Sequence, residues 1–318
     1  EHMFNPPFSQ KKIEKYLKTP VCHSLFSRLN WYFVRLNKKK IFLGTAQFLS
    51  DYGIVNHNKD KSKKYFFKIL EYAAKNKILN YDTAPGYNSE KLLGEFISAN
   101  NIISSKITTK IPKIKGSNYK NFVEKSIEKS MKNLNSNIYT LFFHDISDVK
   151  IFLKNPNFFF QLKKKFQISN LGFSVYKPSD IQDIIKNKYN ISIQFPFNIL
   201  NQSFEPSLKN KKLSPLFARS IFLQGILLKK IFKKKNNSIL KNSTNNYLNY
   251  LKYKNISPLE FTLSFIHQYK KIDYFIFGIE HITQLKKIIS CNFSRFNNGE
   301  LEKIKLMFNK NIVDPRNW

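Results

Sequence analysis

Hydrophobic and polar positions follow two alternating patterns along this chain. Short runs of consecutive apolar residues, such as Ile41–Gly44, are typical of buried strands. Longer segments between these runs repeat apolar residues every three or four positions, which is the spacing of an amphipathic helix. Residues 61–76 show this second pattern, with Phe66, Ile69, Leu70 and Ala73 on one face. The alternation predicts strands that are separated by helices.

Eight strand-then-helix units are predicted in this way. The predicted strands are 41–44, 78–82, 106–110, 139–144, 168–173, 191–195, 216–222 and 272–277. Helices between strands imply right-handed parallel crossovers, and eight units within about 250 residues favour a closed (β/α)₈ TIM barrel. A doubly wound open sheet is the main alternative, but it usually carries GxGxxG after its first strand. Here that position reads Gly44-Thr45-Ala46-Gln47-Phe48.

The barrel pattern occupies residues 39–310, which predicts a single α/β domain. Residues 1–38 are basic, contain three prolines and show no period, so we interpret them as an N-terminal extension. An organellar presequence is the alternative interpretation of this segment. Residues 311–318 form the predicted C-terminal tail. Between residues 148 and 165 the pattern predicts one lysine-rich helix.

The net charge of +33 raises the question of a nucleic-acid partner. Only five of the 54 basic residues are Arg, which is the better side chain for phosphate forks and base edges. Lys, Asn, Ile, Phe and Tyr, which are abundant here, share A/T-rich codons. We therefore interpret the charge as base composition expressed on a solvated surface, and we expect no specific nucleic-acid partner.

The cysteine content and the apolar runs exclude other classes. Cys22 and Cys291 are the only cysteines and form no CxxC motif, so no disulfide scaffold or cysteine-built metal site is expected. No uncharged apolar run reaches about 18 residues, which argues against a membrane span. These features predict a cytoplasmic protein without a metal, either a monomer or a simple homo-oligomer.

Chemically active side chains stand where the predicted strands end. Strand two ends in Asp82, strand three in Lys110 and strand four in His144, and the loop after Asp82 carries Tyr87. Each residue alone has an ordinary structural explanation, as a helix cap, a solvated lysine or a core histidine. Their occurrence on consecutive strand ends is informative, because a barrel brings these ends together at its catalytic face.

This group of side chains suits the reduction of a carbonyl compound. Hydride addition to a C=O builds negative charge on oxygen, which a proton donor must neutralise. A free tyrosine has a pKa near ~10, and a neighbouring ammonium lowers it. Asp82 would hold Lys110 in place through a charge-assisted hydrogen bond, and His144 would orient the carbonyl oxygen.

In these positions the sequence resembles the aldo-keto reductase family. The resemblance follows the family's order over about residues 40 to 290. It is carried by Gly44-Thr45-Ala46, Asp82-Thr83-Ala84 with Tyr87, Ser89-Glu90 with Gly94, Thr109-Lys110, Leu141 to Asp145, Gly172-Phe173-Ser174, Gln194, Gln224-Gly225, and Gly278 with Gln284-Leu285. Residues 43–53 are similar to a bacterial branch associated with sugar or surface-polysaccharide metabolism.

The resemblance implies a barrel that binds NADPH or NADH across its mouth and reduces an aldehyde or ketone. It implies Tyr87 as general acid, with Asp82, Lys110 and His144 completing the catalytic set. Ser174 and Gln194 match positions that contact the nicotinamide carboxamide. The remaining positions implied to lie beside the cofactor are Gly44, Thr45, Arg219, Gln224, Gly225, Gly278 and Gln284.

Three departures from the family pattern bear on this expectation. Asn88 follows Tyr87 directly where a glycine is usual, and Val175 replaces an asparagine. Arg219 replaces the aromatic side chain that stacks on the nicotinamide; a planar guanidinium can also stack, and a surface salt bridge is the equal alternative. The shorter Tyr87 loop leaves open a cofactor-binding but catalytically weak sensor or subunit. A basic nucleic-acid-binding protein is the more distant alternative.

Overall fold

Eight parallel strands close into a barrel in the computed structural model, which describes residues 35–49, 62–229, 238–293 and 304. Each strand pairs with the next in chain order, and the last pairs with the first. The strands are β1 Ile41–Gly44, β2 Asn80–Asp82, β3 Ile107–Ile111, β4 Thr140–Phe143, β5 Asn170–Ser174, β6 Ile191–Pro196, β7 Leu213–Arg219 and β8 Tyr274–Gly278. The predicted (β/α)₈ TIM barrel is confirmed.

α-Helices connect consecutive strands except β6 and β7, where the helix predicted after the sixth strand is only a 3₁₀ helix at Glu205–Lys209. Within the described ranges they are α1 Lys63–Lys75, α2 Glu90–Ala99, α3 Tyr119–Leu134, α4 Val149–Lys154, α5 Pro156–Lys165, α6 Gln182–Lys186, α7 Ser238–Tyr253, α8 Pro258–Gln268 and α9 Ile282–Ser290. The predicted apolar face of α1 is buried along its whole length. Ser62 caps this helix by accepting a hydrogen bond from the backbone N–H of Tyr65.

Aromatic side chains fill the middle of the barrel interior. One buried cluster joins side chains of β1, β4, β7 and β8, namely Phe42, Phe142, Phe217 and Ile276. Phe217 meets Phe42 and Phe142 edge to face, with ring centroids 5.2 and 5.3 Å apart. Gly172 on β5 makes room for this layer, because a Cβ there would lie 2.7 Å from the Phe142 ring.

The next residues on the same face of these strands are glycine, histidine or arginine rather than large apolar residues. Two residues beyond the cluster, the same strands carry Gly44, His144, Arg219 and Gly278. Side chains two residues apart on a strand share a face, so these positions follow the aromatic layer toward the carboxyl ends of the strands. The aromatic layer therefore forms the floor of the barrel mouth.

Two further predicted elements differ from the structure. The single helix expected over residues 148–165 is two helices, α4 and α5, because Pro156 lacks an N–H and restricts the residue before it. Asn155 between them has a non-helical backbone, with φ −139° and ψ 49°. The seventh strand begins at Leu213 rather than residue 216 and ends at Arg219, since Ser220 adopts a positive φ of 58°.

The described residues include only part of the predicted domain boundaries. A 3₁₀ turn at Lys38–Lys40 leads directly into β1, where the barrel was expected to begin. Most of the predicted extension and the whole tail, residues 311–318, lie outside the described residues. None of the described helices combines the length and apolar character needed to cross a membrane.

The close crossing of α2 and α3 depends on Gly94. A Cβ at this position would lie 2.1 Å from the carbonyl oxygen of Asn133, a backbone atom that cannot rotate away. We expect Gly94→Ala to lower the free energy of unfolding by about 1–3 kcal/mol, the usual cost of overpacking. Urea unfolding followed by circular dichroism measures this change.

The matched control for this prediction is Gly86→Ala, since a Cβ at Gly86 meets no atom within 4 Å. We expect its free energy of unfolding to stay within about 0.5 kcal/mol of wild type. Equal stability of the two variants would show that α2 and α3 do not approach as closely as described.

Candidate active site

The predicted site residues meet at one end of the barrel, because all eight strands run parallel. Each strand contributes one predicted residue at or near its carboxyl end, namely Gly44, Asp82, Lys110, His144, Ser174, Gln194, Arg219 and Gly278. Thr45, Tyr87, Gln224, Gly225 and Gln284 lie in the segments that follow β1, β2, β7 and β8. The carboxyl ends of the strands form the face on which barrel enzymes carry their active sites.

A buried ion pair joins Asp82 and Lys110. The Lys110 Nζ lies 3.2 and 3.1 Å from the two carboxylate oxygens and 2.9 Å from the carbonyl oxygen of Thr83. Lys110 is 1% exposed and Asp82 is 5% exposed. A buried ammonium needs such acceptors, since desolvation without them would be very costly.

Two neutral donors complete the surroundings of the Asp82 carboxylate. The Thr108 hydroxyl and the Gln194 amide nitrogen each lie 2.7 Å from Oδ1. Thr108 comes from β3, two residues before Lys110, and Gln194 reaches across the barrel from β6. Sequence reasoning missed Thr108, although the two-residue period of a strand places it on the same face as Lys110.

The charge state of Lys110 follows from these contacts. Burial by itself would lower the pKa of the ammonium, but the charges of Asp82 and Tyr87 and hydrogen bonding to both outweigh it. The pKa of Lys110 is therefore raised above its ordinary value, and the side chain stays protonated at neutral pH.

The loop after β2 places Tyr87 beside this pair despite its shorter length. Pro85–Tyr87 form a single 3₁₀ turn that ends at Asn88, whose φ of 59° is left-handed. The family usually has glycine at this position. Asparagine, which stands here instead, is the residue that adopts the left-handed conformation most readily apart from glycine. The Tyr87 ring lies 4.8 Å from the Lys110 Nζ.

Buried hydroxyl groups hold this loop against β1. Ser89 Oγ lies 2.8 Å from the Thr45 hydroxyl and 3.0 Å from the Thr83 hydroxyl. Thr45 also donates to the backbone carbonyl of Asp82 at 3.1 Å. Thr45, which was predicted to lie beside the cofactor, thus binds both the backbone of Asp82 and the end of the loop that follows it.

His144 faces Tyr87 at nearly a right angle. Their ring centroids are 6.1 Å apart and the planes differ by 89°. Burial, and then the positive charge of Lys110, lower the pKa of His144 from 6.5 to about 4. The imidazole is therefore neutral at physiological pH, so its ring N–H can donate a hydrogen bond to a carbonyl oxygen without carrying a charge.

Features beside this group fit a nicotinamide. Ser174 is 4% exposed, and its hydroxyl makes no hydrogen bond with another described residue, so the hydroxyl can bind a ligand. Gly44 and Gly278 are paired in register and leave a rim without side chains between β1 and β8. A Cβ at Gly278 would lie 2.3 Å from Gln47 Oε1, so a larger residue there would have to displace the Gln47 side chain.

Arg219 is anchored at the edge of the site. Its guanidinium lies 4.5 Å from the Tyr176 ring centroid and donates to the backbone carbonyl of Val175 at 3.0 Å. No carboxylate of a described residue pairs with it, so the alternative of a surface salt bridge is not realised among those residues. Sequence reasoning missed Tyr176, which follows β5 by two residues.

The segments after β7 and β8 have constrained backbones. Gln224 and Gly225 form a left-handed turn with φ of 54° and 88°. Gln284 caps α9 by accepting from the backbone N–H groups of Glu280 and His281 at 2.8 and 3.1 Å. Gln284 Oε1 is thus committed to the helix cap. No group of three or more potential metal ligands occurs within the described ranges.

Comparison with known proteins places this fold and site in a family. A sequence model described as the aldo/keto reductase family matches residues 40–307. The chain therefore belongs to the aldo/keto reductase family, oxidoreductases of carbonyl compounds that generally use NAD(P)H. The resemblance stated from the sequence is confirmed. No curated protein sequence gives a significant match.

Solved structures share the fold at low sequence identity. A glycerol dehydrogenase from Gluconobacter oxydans superimposes with a TM-score of 0.65 and 17% identity, covering 87% of this chain and 93% of that one. A protein of Pseudomonas aeruginosa described as an aldo-keto reductase gives a TM-score of 0.59 and 15% identity, with coverage of 79% and 88%. At these identities the likeness shows the fold.

The neutral state of His144 is directly measurable. We expect its imidazole to titrate near pH 4, because burial and Lys110 oppose its protonation. A folded-state pKa below the unfolded one means that His144 contributes stability above about pH 6.5, and that this contribution is lost as the pH falls toward 4. NMR of the ring Cε1–H, assigned by its absence in His144→Gln, should show no titration between pH 8 and 5. A midpoint between pH 6 and 7 would refute this placement of His144.

Proposed function

We propose that the protein is an NAD(P)H-dependent oxidoreductase that reduces an aldehyde or ketone to an alcohol, with Tyr87 as the proton donor. The observation that carries this proposal is the buried Asp82–Lys110 pair, with the Lys110 ammonium 4.8 Å from the Tyr87 ring. The bound nicotinamide would supply the hydride. The substrate is a small carbonyl compound, and a sugar-related one is the form that the resemblance of residues 43–53 favours.

Each side chain has a defined task in this reaction. Tyr87 gives its hydroxyl proton to the carbonyl oxygen as negative charge develops there, and the resulting phenolate is stabilised by Lys110. Asp82 keeps Lys110 in position. Neutral His144 contacts the carbonyl oxygen and fixes its direction relative to Tyr87.

The proposed cofactor contacts use the other predicted residues. Ser174 and Gln194 hold the nicotinamide carboxamide, and the guanidinium of Arg219 covers the ring on the face that an aromatic residue usually occupies. Gly44 and Gly278 allow the cofactor to approach the backbone. Gln224 and Gly225 lie toward its pyrophosphate, and Gln284 toward its adenosine end.

Tyr87→Phe tests the proton donor. We expect turnover of carbonyl substrates to fall about 10²–10⁴-fold, the usual contribution of a positioned acid, while NAD(P)H still binds. Lys110→Met should cause a comparable loss, because the phenolate then lacks its counter-charge. The assay is NADPH and NADH oxidation with a panel of aldehydes, sugars and keto acids, with cofactor affinity measured by fluorescence.

The control for this prediction is Tyr119→Phe, which removes a phenol from α3, outside the site. Its turnover should equal that of wild type. If Tyr87→Phe retains turnover within a few-fold of wild type, Tyr87 is not the acid.

The segment after β8 bears on the choice between NADH and NADPH. Preference for NADPH depends on positive charge near the adenosine ribose. Gly278 and Gln284 stand where the family often has Lys and Arg, and Glu280, 6% exposed, is held by Gln47 Nε2 at 2.7 Å. The Lys286 ammonium lies 5.5 Å from the Tyr72 ring on α1. We therefore expect NADH and NADPH to bind with dissociation constants within about tenfold of each other at physiological salt.

Glu280→Gln sharpens this test, because it keeps an acceptor for Gln47 but removes the charge. We expect it to favour NADPH several-fold over wild type. Glu95→Gln, which removes an equal charge from a surface ion pair with Lys63, should leave the ratio unchanged. A wild-type enzyme that binds NADPH a hundredfold more tightly would contradict this reading of the segment after β8.

A further inference from the structure

The side chain of Arg219 is held at the mouth of the barrel. Arg219 ends β7 two residues after Phe217 of the aromatic floor, so both side chains leave the same face of the strand. The guanidinium reaches past β6 to the end of β5, where it donates to the carbonyl oxygen of Val175 at 3.0 Å. It also lies 4.5 Å from the ring centroid of Tyr176. These contacts fix its position.

The guanidinium of Arg219 keeps donors that no described residue uses. A guanidinium carries five N–H groups in one plane and accepts no hydrogen bond. Nη2 donates to the Val175 carbonyl oxygen, and Nη1 donates to the Ser220 hydroxyl at 3.3 Å. One N–H group on each of the three nitrogens is therefore left without a partner among the described residues. These groups lie at the edge of the guanidinium plane, where a planar acceptor can bind.

Arg219 also carries a positive charge that no described carboxylate compensates. The charges that act on the pKa of His144 come from Lys110, Asp82, Arg219 and Asp145. The first two form the buried ion pair, and Asp145 pairs with Lys113 at 3.2 Å. Of these four groups, Arg219 alone lacks an oppositely charged partner within the described ranges. The mouth thus holds one uncompensated positive charge that acts on His144.

We propose that Arg219 selects carbonyl substrates that carry a carboxylate, which binds the remaining N–H groups of the guanidinium while the carbonyl oxygen meets Tyr87 and His144. This inference rests on the proposed function and adds to it a substrate class, the oxoacids. A carboxylate is planar and matches the single positive charge, whereas a phosphate group carries about two negative charges. The face of the guanidinium remains available to the nicotinamide, because the carboxylate binds at the edge.

The carboxylate takes no part in the bond changes. The carbonyl carbon accepts the hydride of the reduced cofactor, and the carbonyl oxygen accepts the Tyr87 proton, which is then replaced from solvent. The contact of the carboxylate with Arg219 is the same before and during this step. Such uniform binding lowers KM and leaves kcat nearly unchanged. Arg219 therefore controls the choice of substrate rather than the rate of the chemical step.

Matched pairs of acid and amide test this selection, since the two members differ in charge and hardly in shape. The pairs are 4-carboxybenzaldehyde with 4-formylbenzamide, 4-oxobutanoate with 4-oxobutanamide, and D-glucuronate with D-glucuronamide. With saturating NADH or NADPH, we expect the wild-type kcat/KM to be about 10–100-fold higher for the acid in at least one pair. The difference should lie mainly in KM.

Three variants locate the source of this preference. In Arg219→Gln the acid-to-amide ratio should fall to within about twofold of unity, and in Arg219→Lys, which keeps the charge but loses the fork, it should be intermediate. Arg35→Gln is the matched control, because it removes an equal charge before β1, at the other end of the barrel, where Arg35 contacts Asn292. It should retain the wild-type ratio, which separates local recognition from the attraction of a basic surface. Circular dichroism shows whether each variant is folded.

Binding without turnover provides a second readout. The alcohol product 4-(hydroxymethyl)benzoate should bind the wild-type protein with NAD⁺ or NADP⁺ about tenfold more tightly than 4-(hydroxymethyl)benzamide does, as measured by calorimetry. In Arg219→Gln this difference should disappear. The wild-type comparison of acid and amide depends on no variant.

The outcomes separate this inference from the proposed function. If the wild-type protein reduces no carbonyl compound with either cofactor, the proposed function fails. If it reduces acid and amide equally in every pair, or if the ratio persists in Arg219→Gln, only the role of Arg219 fails. A larger preference for D-glyceraldehyde 3-phosphate over D-glyceraldehyde than for any acid over its amide would overturn the assignment of a carboxylate. So would a loss of ADP-ribose affinity in Arg219→Gln without any change in the ratio, since the guanidinium would then bind the cofactor pyrophosphate.

Discussion

The ion pair between Asp82 and Lys110 is the interaction on which the arrangement of the barrel mouth depends. Both charges are almost fully removed from water, so each requires partners that the fold must supply. Strand β3 supplies Thr108, β6 supplies Gln194, and the backbone of Thr83 supplies a carbonyl. The pair thereby ties together strands on opposite sides of the barrel.

The position of the pair above an aromatic floor explains its influence on its neighbours. Phe42, Phe142 and Phe217 close the interior below it. Charges act more strongly in such a weakly polarisable environment than in water. The same ammonium that lies 4.8 Å from the Tyr87 ring helps to keep His144 neutral. This buried cation thus adds to the effect of burial in opposing the protonation of His144.

The sequence was sufficient for the order of the elements and for the residues at the strand ends, because both follow from local periodicity. It was insufficient where closure of the barrel decides the contacts. No local pattern indicates that Gln194 reaches Asp82, 112 positions earlier, or that Arg219 stacks on Tyr176. Pro156 lacks an N–H, which by itself predicts a break in the helix. The regular spacing of apolar residues on both sides of Pro156 nevertheless favoured a single helix. Residues 51–53, part of the resemblance to a bacterial branch, lie outside the described residues.

We propose that the barrel retains this buried pair for the proposed carbonyl chemistry rather than for its stability. The direct test measures the free energy of unfolding and the carbonyl-reducing turnover of Asp82→Leu, Lys110→Met and the double variant. Each single variant leaves a buried charge, or its hydrogen-bond donors, without a partner. Its free energy of unfolding should therefore fall by about 3–5 kcal/mol, whereas the double variant should recover most of that loss. Turnover should stay abolished in all three. Additive losses of stability, or turnover that returns in the double variant, would contradict the account.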